Sequence, residues 1–216
     1  MSKIDNDMGL TAVELLVTIV VSGIIASAAI NLHINQQRIF VREEALTNMR
    51  NNVRRALDII TRDLRMAGYN PKEASDFDLA VRDARADRIW IVMDLDENGC
   101  WTIPDSLGEQ RGFHFIGDSA LYRINFIDSV NVVNRLIANN IDYLEFKYID
   151  ANGDTIARPV AGANLQNIRA VNVTIVGITE REFSNHREEG TYPDGTTYND
   201  RHYRYWLTRT IELRNH

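Results

Sequence analysis

The 216-residue chain is poor in the residues that usually reveal a function. It has one cysteine, Cys100, so no disulfide forms within the chain and thiol content says nothing about redox compartment. The expectation for Cys100 is a buried small hydrophobe. It has four prolines, and none lies between Leu10 and Asn70, so nothing in that stretch forbids one continuous helix. Basic excess is missing: 24 Lys and Arg stand against 30 Asp and Glu, for a net charge of -6. A phosphate-binding surface needs the opposite balance, so nucleic acid is not expected as a partner. The arginines at 50, 54, 55, 62 and 65 alternate with carboxylates and asparagines, as on a solvated helix face. Repeats and low-complexity tracts are absent, and at 44% hydrophobic and 25% charged residues the composition is that of an ordinary globular protein. Its length suits one domain with a sizeable core, or two small ones. Catalytic signatures are missing too: no G-x-S-x-G, P-loop, H-E-x-x-H or dinucleotide fingerprint occurs, and five scattered histidines lack metal-ligand spacing. Asp63 and Glu73 read as surface carboxylates near a helix end, and the chain is not expected to be an enzyme.

Charge is absent altogether from residues 15–34, and what stands there is apolar. Twenty such residues suffice for a helix to cross the hydrocarbon core of a bilayer. An ordinary secretory signal has a shorter apolar core followed by a small-residue cleavage site, which Ala26, Ser27, Ala28 and Ala29 would imitate. Against that alternative, the helical pattern continues past Asn31 without a break. One carboxylate, Glu14, stands at the start of the run. A charge in a span costs roughly 2.5–3.5 kcal/mol unless it is paired or near the interface. Glu14 is therefore either a snorkelling boundary residue or one that needs a cationic partner.

The segment Gly9-Leu10-Thr11-Ala12-Val13-Glu14-Leu15 resembles the class III signal of type IV prepilins and type II secretion pseudopilins. The resemblance implies cleavage after Gly9 by a dedicated membrane peptidase and methylation of the new amine on Leu10. It also implies that Glu14, then the fifth residue, meets the N-terminal amine of a neighbouring subunit. Leu10 stands where the family usually has phenylalanine, and Ala12 where it usually has leucine. The leader holds one lysine against two aspartates, so an N-in orientation rests on the motif and not on charge bias.

Beyond the span, Leu46, Met49, Val53, Leu57, Ile60 and Leu64 recur at steps of three and four, one face of an amphipathic helix. One helix is expected to run to about Met66 and stop at Gly68-Tyr69-Asn70-Pro71, a rod of roughly 80–90 Å at 1.5 Å per residue. After Pro71 the period becomes two, with strands expected over 89–93, 121–126, 141–148, 168–176 and 203–213. Turn signals separate them at 94–99, 150–153 and 194–195. The fold class is therefore α+β: a long N-terminal helix, half transmembrane and half amphipathic, packed on an antiparallel β-sheet head, pilin-like. The domain reading is a leader over 1–9, a transmembrane helix over 10–34, its amphipathic continuation over 35–67 and a β-rich periplasmic head over 68–216. Arg62-Asp63-Leu64-Arg65-Met66-Ala67-Gly68-Tyr69 resembles the signature of the PilW minor pilin family, and the layout is similar to the minor pseudopilin J subunit of type II secretion.

Asp94-Leu95-Asp96-Glu97-Asn98-Gly99 matches the opening of a calcium loop, with oxygen ligands at alternate positions and glycine for the turn. Asp94, Asp96, Asn98 and, at the twelfth position, Asp105 are the candidate ligands. The same residues also suit a plain polar hairpin turn, and both readings stay open. Asp150, Asn152 and Asp154 form a weaker cluster of the same kind. Residues 183–199 read as an exposed insertion loop. The aromatic segment 198–206 reads either as a final strand with aromatics alternating into the core or as a partner-binding edge.

The resemblance implies a minor pilin or pseudopilin that primes or caps assembly of a pilus or secretion pseudopilus after prepilin peptidase processing. Expected partners are other minor and major pilins or pseudopilins, the peptidase, an inner-membrane assembly platform and membrane lipid. Small residues Gly23, Ala26 and Ala29 would permit close helix packing. The location expected is the inner membrane with the head in the periplasm, then the filament tip. The alternative is a tip adhesin or substrate-binding module using the 183–199 loop and calcium.

Overall fold

Residues 12–66 contain no proline and one interior glycine, Gly23, and they form a single α-helix, α1 (Ala12–Met66). The computed structural model describes residues 11–74, 79–100, 108–117, 119–126 and 132–215. The chain divides into two compact units, Met1–Glu44 and Ala45–His216.

In the first unit, α1 carries no charge over residues 15–34, and none of its most apolar 18-residue window is buried. Val13, Leu16, Ile19, Ile24 and Ile25 are all more than 60% exposed. Among the described residues this is the one helix long and apolar enough to cross a membrane. Polar side chains within it bond to their own backbone: Thr18 Oγ1 donates to the Glu14 carbonyl at 2.7 Å and Asn31 Nδ2 to the Ser27 carbonyl at 3.0 Å. Such back-bonding satisfies groups that lipid cannot.

In the second unit the helical periodicity does what it forecasts. Met49, Val53, Leu57, Ile60 and Leu64 are buried, with Leu46 half-buried at the start of the stripe. The helix ends where expected, for a steric reason. Gly68 has φ of 74°, and a Cβ there would lie 1.9 Å from the Asn215 carbonyl oxygen, so only glycine fits. The Gly68 N–H then donates to the Val92 carbonyl at 2.8 Å, turning the chain towards the sheet.

Strand pairing among the described residues is antiparallel. A meander of β1 (Val81–Ala84), β2 (Arg88–Val92), β3 (Gln110–Ile116), β4 (Ala120–Phe126) and β5 (Val132–Ala138) makes one sheet in sequence order. The second sheet runs β11-β8-β6-β7, from β6 (Ile141–Ile149), β7 (Thr155–Ile156), β8 (Ala170–Ile178) and β11 (Arg204–Glu212). A hairpin of β9 (Glu188–Thr191) and β10 (Thr197–Asp200) stands apart. The five expected strands are present, and one expected sheet is in fact two plus a hairpin. Phe113 of β3, Phe146 and Tyr148 of β6 and Leu57 and Ile60 of α1 belong to one buried cluster. Helix and sheet approach closely at Gly177, where a Cβ would come within 2.4 Å of the Val53 side chain.

Three expectations are corrected here. Cys100 is exposed, not buried, because it follows the 94–99 turn at the surface, its backbone N–H donating to Asn98 Oδ1 at 2.6 Å. Asp63 is buried, not a surface carboxylate, because β3 and β4 bring Arg111 and Arg123 to it at 3.0 and 2.9 Å. The 183–199 segment is not a loop throughout: it holds β9 and β10, which pair residue for residue from Glu188–Asp200 to Thr191–Thr197.

Candidate functional site

Gly9 and Leu10 lie outside the described residues, and the segment that follows them opens α1. Thr11 is its N-cap. Thr11 N–H donates to Glu14 Oε2 at 3.0 Å, the Thr11 hydroxyl donates to the same oxygen at 3.1 Å, and Glu14 N–H donates back to Thr11 Oγ1 at 3.3 Å. This is a reciprocal capping box. A negative charge in the first turn also faces the positive end of the helix dipole. The box holds the carboxylate in one orientation with Oε2 doubly engaged, and among the described residues no donor approaches Oε1. The T-x-x-E spacing carries this signal in the sequence, where only the glutamate was singled out. Gly23 has open space around its missing Cβ, as a close-packing position for another helix requires.

The acidic turn after β2 forms a second site. The β2–β3 ladder continues one step past β2, with Met93 N–H donating to the Glu109 carbonyl at 2.9 Å. That step sets the Glu109 side chain beside the turn, where its Oε1 accepts from Leu95 N–H at 3.2 Å. Asp94 is fully buried: its Oδ2 accepts from Gly99 N–H at 3.1 Å, and among the described residues its Oδ1 has no hydrogen-bond partner. Asp94 N–H donates to the Tyr69 carbonyl at 2.8 Å, and the Tyr69 hydroxyl donates to Glu97 at 2.9 Å, so the turn is fastened to the end of α1. The hydrogen bond to Glu97 raises the Tyr69 pKa.

Oxygens of Asp94, Asp96 and Glu109 lie within 4.8 Å of one another. Of the four expected ligands, Asp94 and Asp96 are thus brought together. Asn98 turns its Oδ1 to Cys100 N–H and its Nδ2 to Asp96 Oδ2 at 2.7 Å, and Asp105 lies outside the described residues. Glu109, fifteen places after Asp94, takes part instead. No loop spacing points to it, because it arrives by strand pairing. In the weaker cluster, Asp150 Oδ1 is spent on the N–H groups of Asn152 and Asp154, both at 2.9 Å, as in a polar turn.

The third site is aromatic. Tyr192, between β9 and β10, stacks on Tyr143 with ring centroids 4.9 Å apart and lies 4.9 Å from Tyr198 and 5.5 Å from Trp206. Arg204 lies beneath, its side chain 1% exposed, 3.9 Å over the Tyr198 ring. It donates to Asp142 at 2.7 Å, to Tyr192 Oη at 2.9 Å and to both oxygens of Asp200. Hydrogen bonding to Arg204 holds the Asp200 carboxyl down at about 2, and burial pushes the Tyr192 phenol well up. The tyrosines are consumed in packing, which leaves Trp206 as the exposed large aromatic of the group.

Comparison with known proteins places these features in context. Residues 42–175 match the family model for prepilin peptidase-dependent protein B. No curated protein sequence matches the chain. Among solved structures, a type IV-like pilin from Thermus thermophilus is similar, with a TM-score of 0.47 and 12% identity over 76% of this chain and 96% of that one.

Proposed function

The chain belongs to the family of prepilin peptidase-dependent protein B and is a pilin-type structural subunit, and from that premise we propose that it is a minor subunit of a type IV pilus or type II secretion pseudopilus. As a structural protein it has no catalytic role. The observation that carries the finer reading is the apolar, uncovered start of α1 with a capped carboxylate at its entrance. Apolar surface of that extent needs lipid or neighbouring helices around it. A prepilin-type peptidase would cut after Gly9 and leave a methylated amine on Leu10. Four residues on, Glu14 offers the N-terminal amine of a neighbouring subunit a carboxylate that the capping box has already oriented. An ion pair there would cancel the desolvation cost of the glutamate and fix axial register between subunits.

In this reading the processed chain waits in the inner membrane with its β-rich unit in the periplasm, then enters a filament, where it primes or caps assembly. The resemblance of residues 62–69 to the PilW signature supports a minor position. The partners are other pilin-type subunits and an inner-membrane assembly platform.

Intact mass and N-terminal sequencing of the protein from its native membrane test the proposal. A chain beginning at methylated Leu10 is expected. A chain beginning near Asn31, or still beginning at Met1, would remove both the processing step and the role given to Glu14.

A further inference from the structure

The geometry points to a calcium site formed by Asp94, Asp96 and Glu109, where the β2–β3 connection meets the end of α1. This inference stands on the second unit alone and does not depend on the filament reading.

Three observations converge on one point. Each of the three carboxylates offers an oxygen, and the three oxygens lie within 4.8 Å of one another. That is the widest separation two ligands of a single ion can have at about 2.4 Å each, inside calcium's range of roughly 2.3–2.6 Å. Asp94 is fully buried, yet among the described residues its Oδ1 has no hydrogen-bond partner. A buried carboxylate oxygen left in that state is costly, and a cation is the simplest group to satisfy it. Among the described residues, no lysine or arginine is ion-paired with Asp94 or Asp96, although the fold supplies arginines to Asp63, Asp83, Asp142, Glu145 and Asp200. Side-chain pairing that balances those other acids leaves the charges of Asp94 and Asp96 without a paired guanidinium or ammonium among the described residues.

The existing hydrogen bonds are compatible with a metal. Gly99 N–H takes Asp94 Oδ2 and, among the described residues, leaves Oδ1 without a hydrogen bond. The Asp96 oxygens each accept one bond from Asn98, and a carboxylate oxygen has a second lone pair to give. The donor set is all oxygen, which selects a hard cation. Three carboxylates converging from two chain segments make a protein cage of the sort calcium uses, whereas magnesium usually takes one or two carboxylates with several waters. The role follows from the position. Asp94 N–H is bonded to the Tyr69 carbonyl and Glu97 to the Tyr69 hydroxyl, so a bound ion would lock the 94–99 turn, the entry to β3 and the end of α1 together.

The full chain, purified in detergent micelles and stripped with chelator, tests this through its unfolding temperature in calcium or magnesium chloride at equal ionic strength. At a hundredfold excess over Kd, calcium is expected to raise the temperature by roughly 5–10 °C, and magnesium to do much less. Asp94→Asn should lose the calcium response. Asp96→Asn, at an exposed position that is safe for folding, should lose most of it as well. No response to calcium, an equal response to both salts, or a calcium shift that survives in Asp96→Asn would overturn the site.

Discussion

Asp63 lies in the last turns of α1 and is 4% exposed, with Arg111 of β3 and Arg123 of β4 on its two oxygens. Burial lowers the Arg123 pKa and the Asp63 carboxylate opposes that shift, so the acid keeps a half-buried guanidinium in place. Asp63→Asn keeps the shape and removes the charge from between two arginines. The expected cost is about 3–5 kcal/mol, the usual price of breaking a buried pair from one side. Denaturant unfolding should show a lower midpoint with the slope unchanged, and a loss under about 1 kcal/mol would mean that the arginines simply return to water. The sequence does not reveal this residue, since Arg62-Asp63-Leu64-Arg65 has the look of any solvated helix end. Its covering strands lie 48 or more residues away, and only their pairing decides that this flank of the helix is closed. Cys100 is misread for the mirror-image reason: its type favours burial, but the acidic turn holds it at the surface.

Among the elements, the β9–β10 hairpin depends most on one polar anchor. Tyr192 and Tyr198 fold onto Tyr143 and Val176, and Arg204 joins that packing to Asp142 and Asp200. Asp200 titrates at about 2 in the folded protein, below its ordinary value of 3.8. A depressed carboxylate pKa contributes stability that is fully present above pH 4 and is lost as pH falls from about 4 towards 2. Thermal unfolding followed against pH should therefore show an acid-side loss in this window that Asp200→Asn flattens. Superimposable profiles for the two proteins would remove the anchoring role. The strands β6 and β8 were legible because their residues alternate cleanly. β1 was too short to show a period, and β3 is broken by Arg111 and Gly112. β9 and β10 were missed because Gly190, Pro193 and Gly195 give the segment a loop's composition.

At the scale of the whole molecule, the chain combines an apolar span with a β-rich unit that buries its own core. Glu14 is the charged side chain that the span cannot easily carry alone. In the proposed processing route Glu14→Ala leaves Gly9 and Leu10 unchanged, so insertion and cleavage are expected to persist. Entry into the filament should fall. Losing one partner of a buried pair costs about 3–5 kcal/mol, which exceeds a tenfold change in equilibrium. Immunoblots of sheared filament and membrane fractions would read this directly, and normal incorporation of the variant would sink the proposed pairing.

The sequence by itself determined the long helix, its end at Gly68 and the antiparallel strands with clean alternation. Those features are local: a missing proline, a run without charge, a period of 3.6 or 2, and a glycine where no side chain fits. Tertiary structure alone decided that the strands form two sheets and a hairpin, and that Asp63 and Asp94 are buried. It also brought Glu109 to the acidic turn. Each of these depends on contacts between residues far apart in the chain, and burial and charge pairing are properties of the assembled fold, which no local pattern encodes.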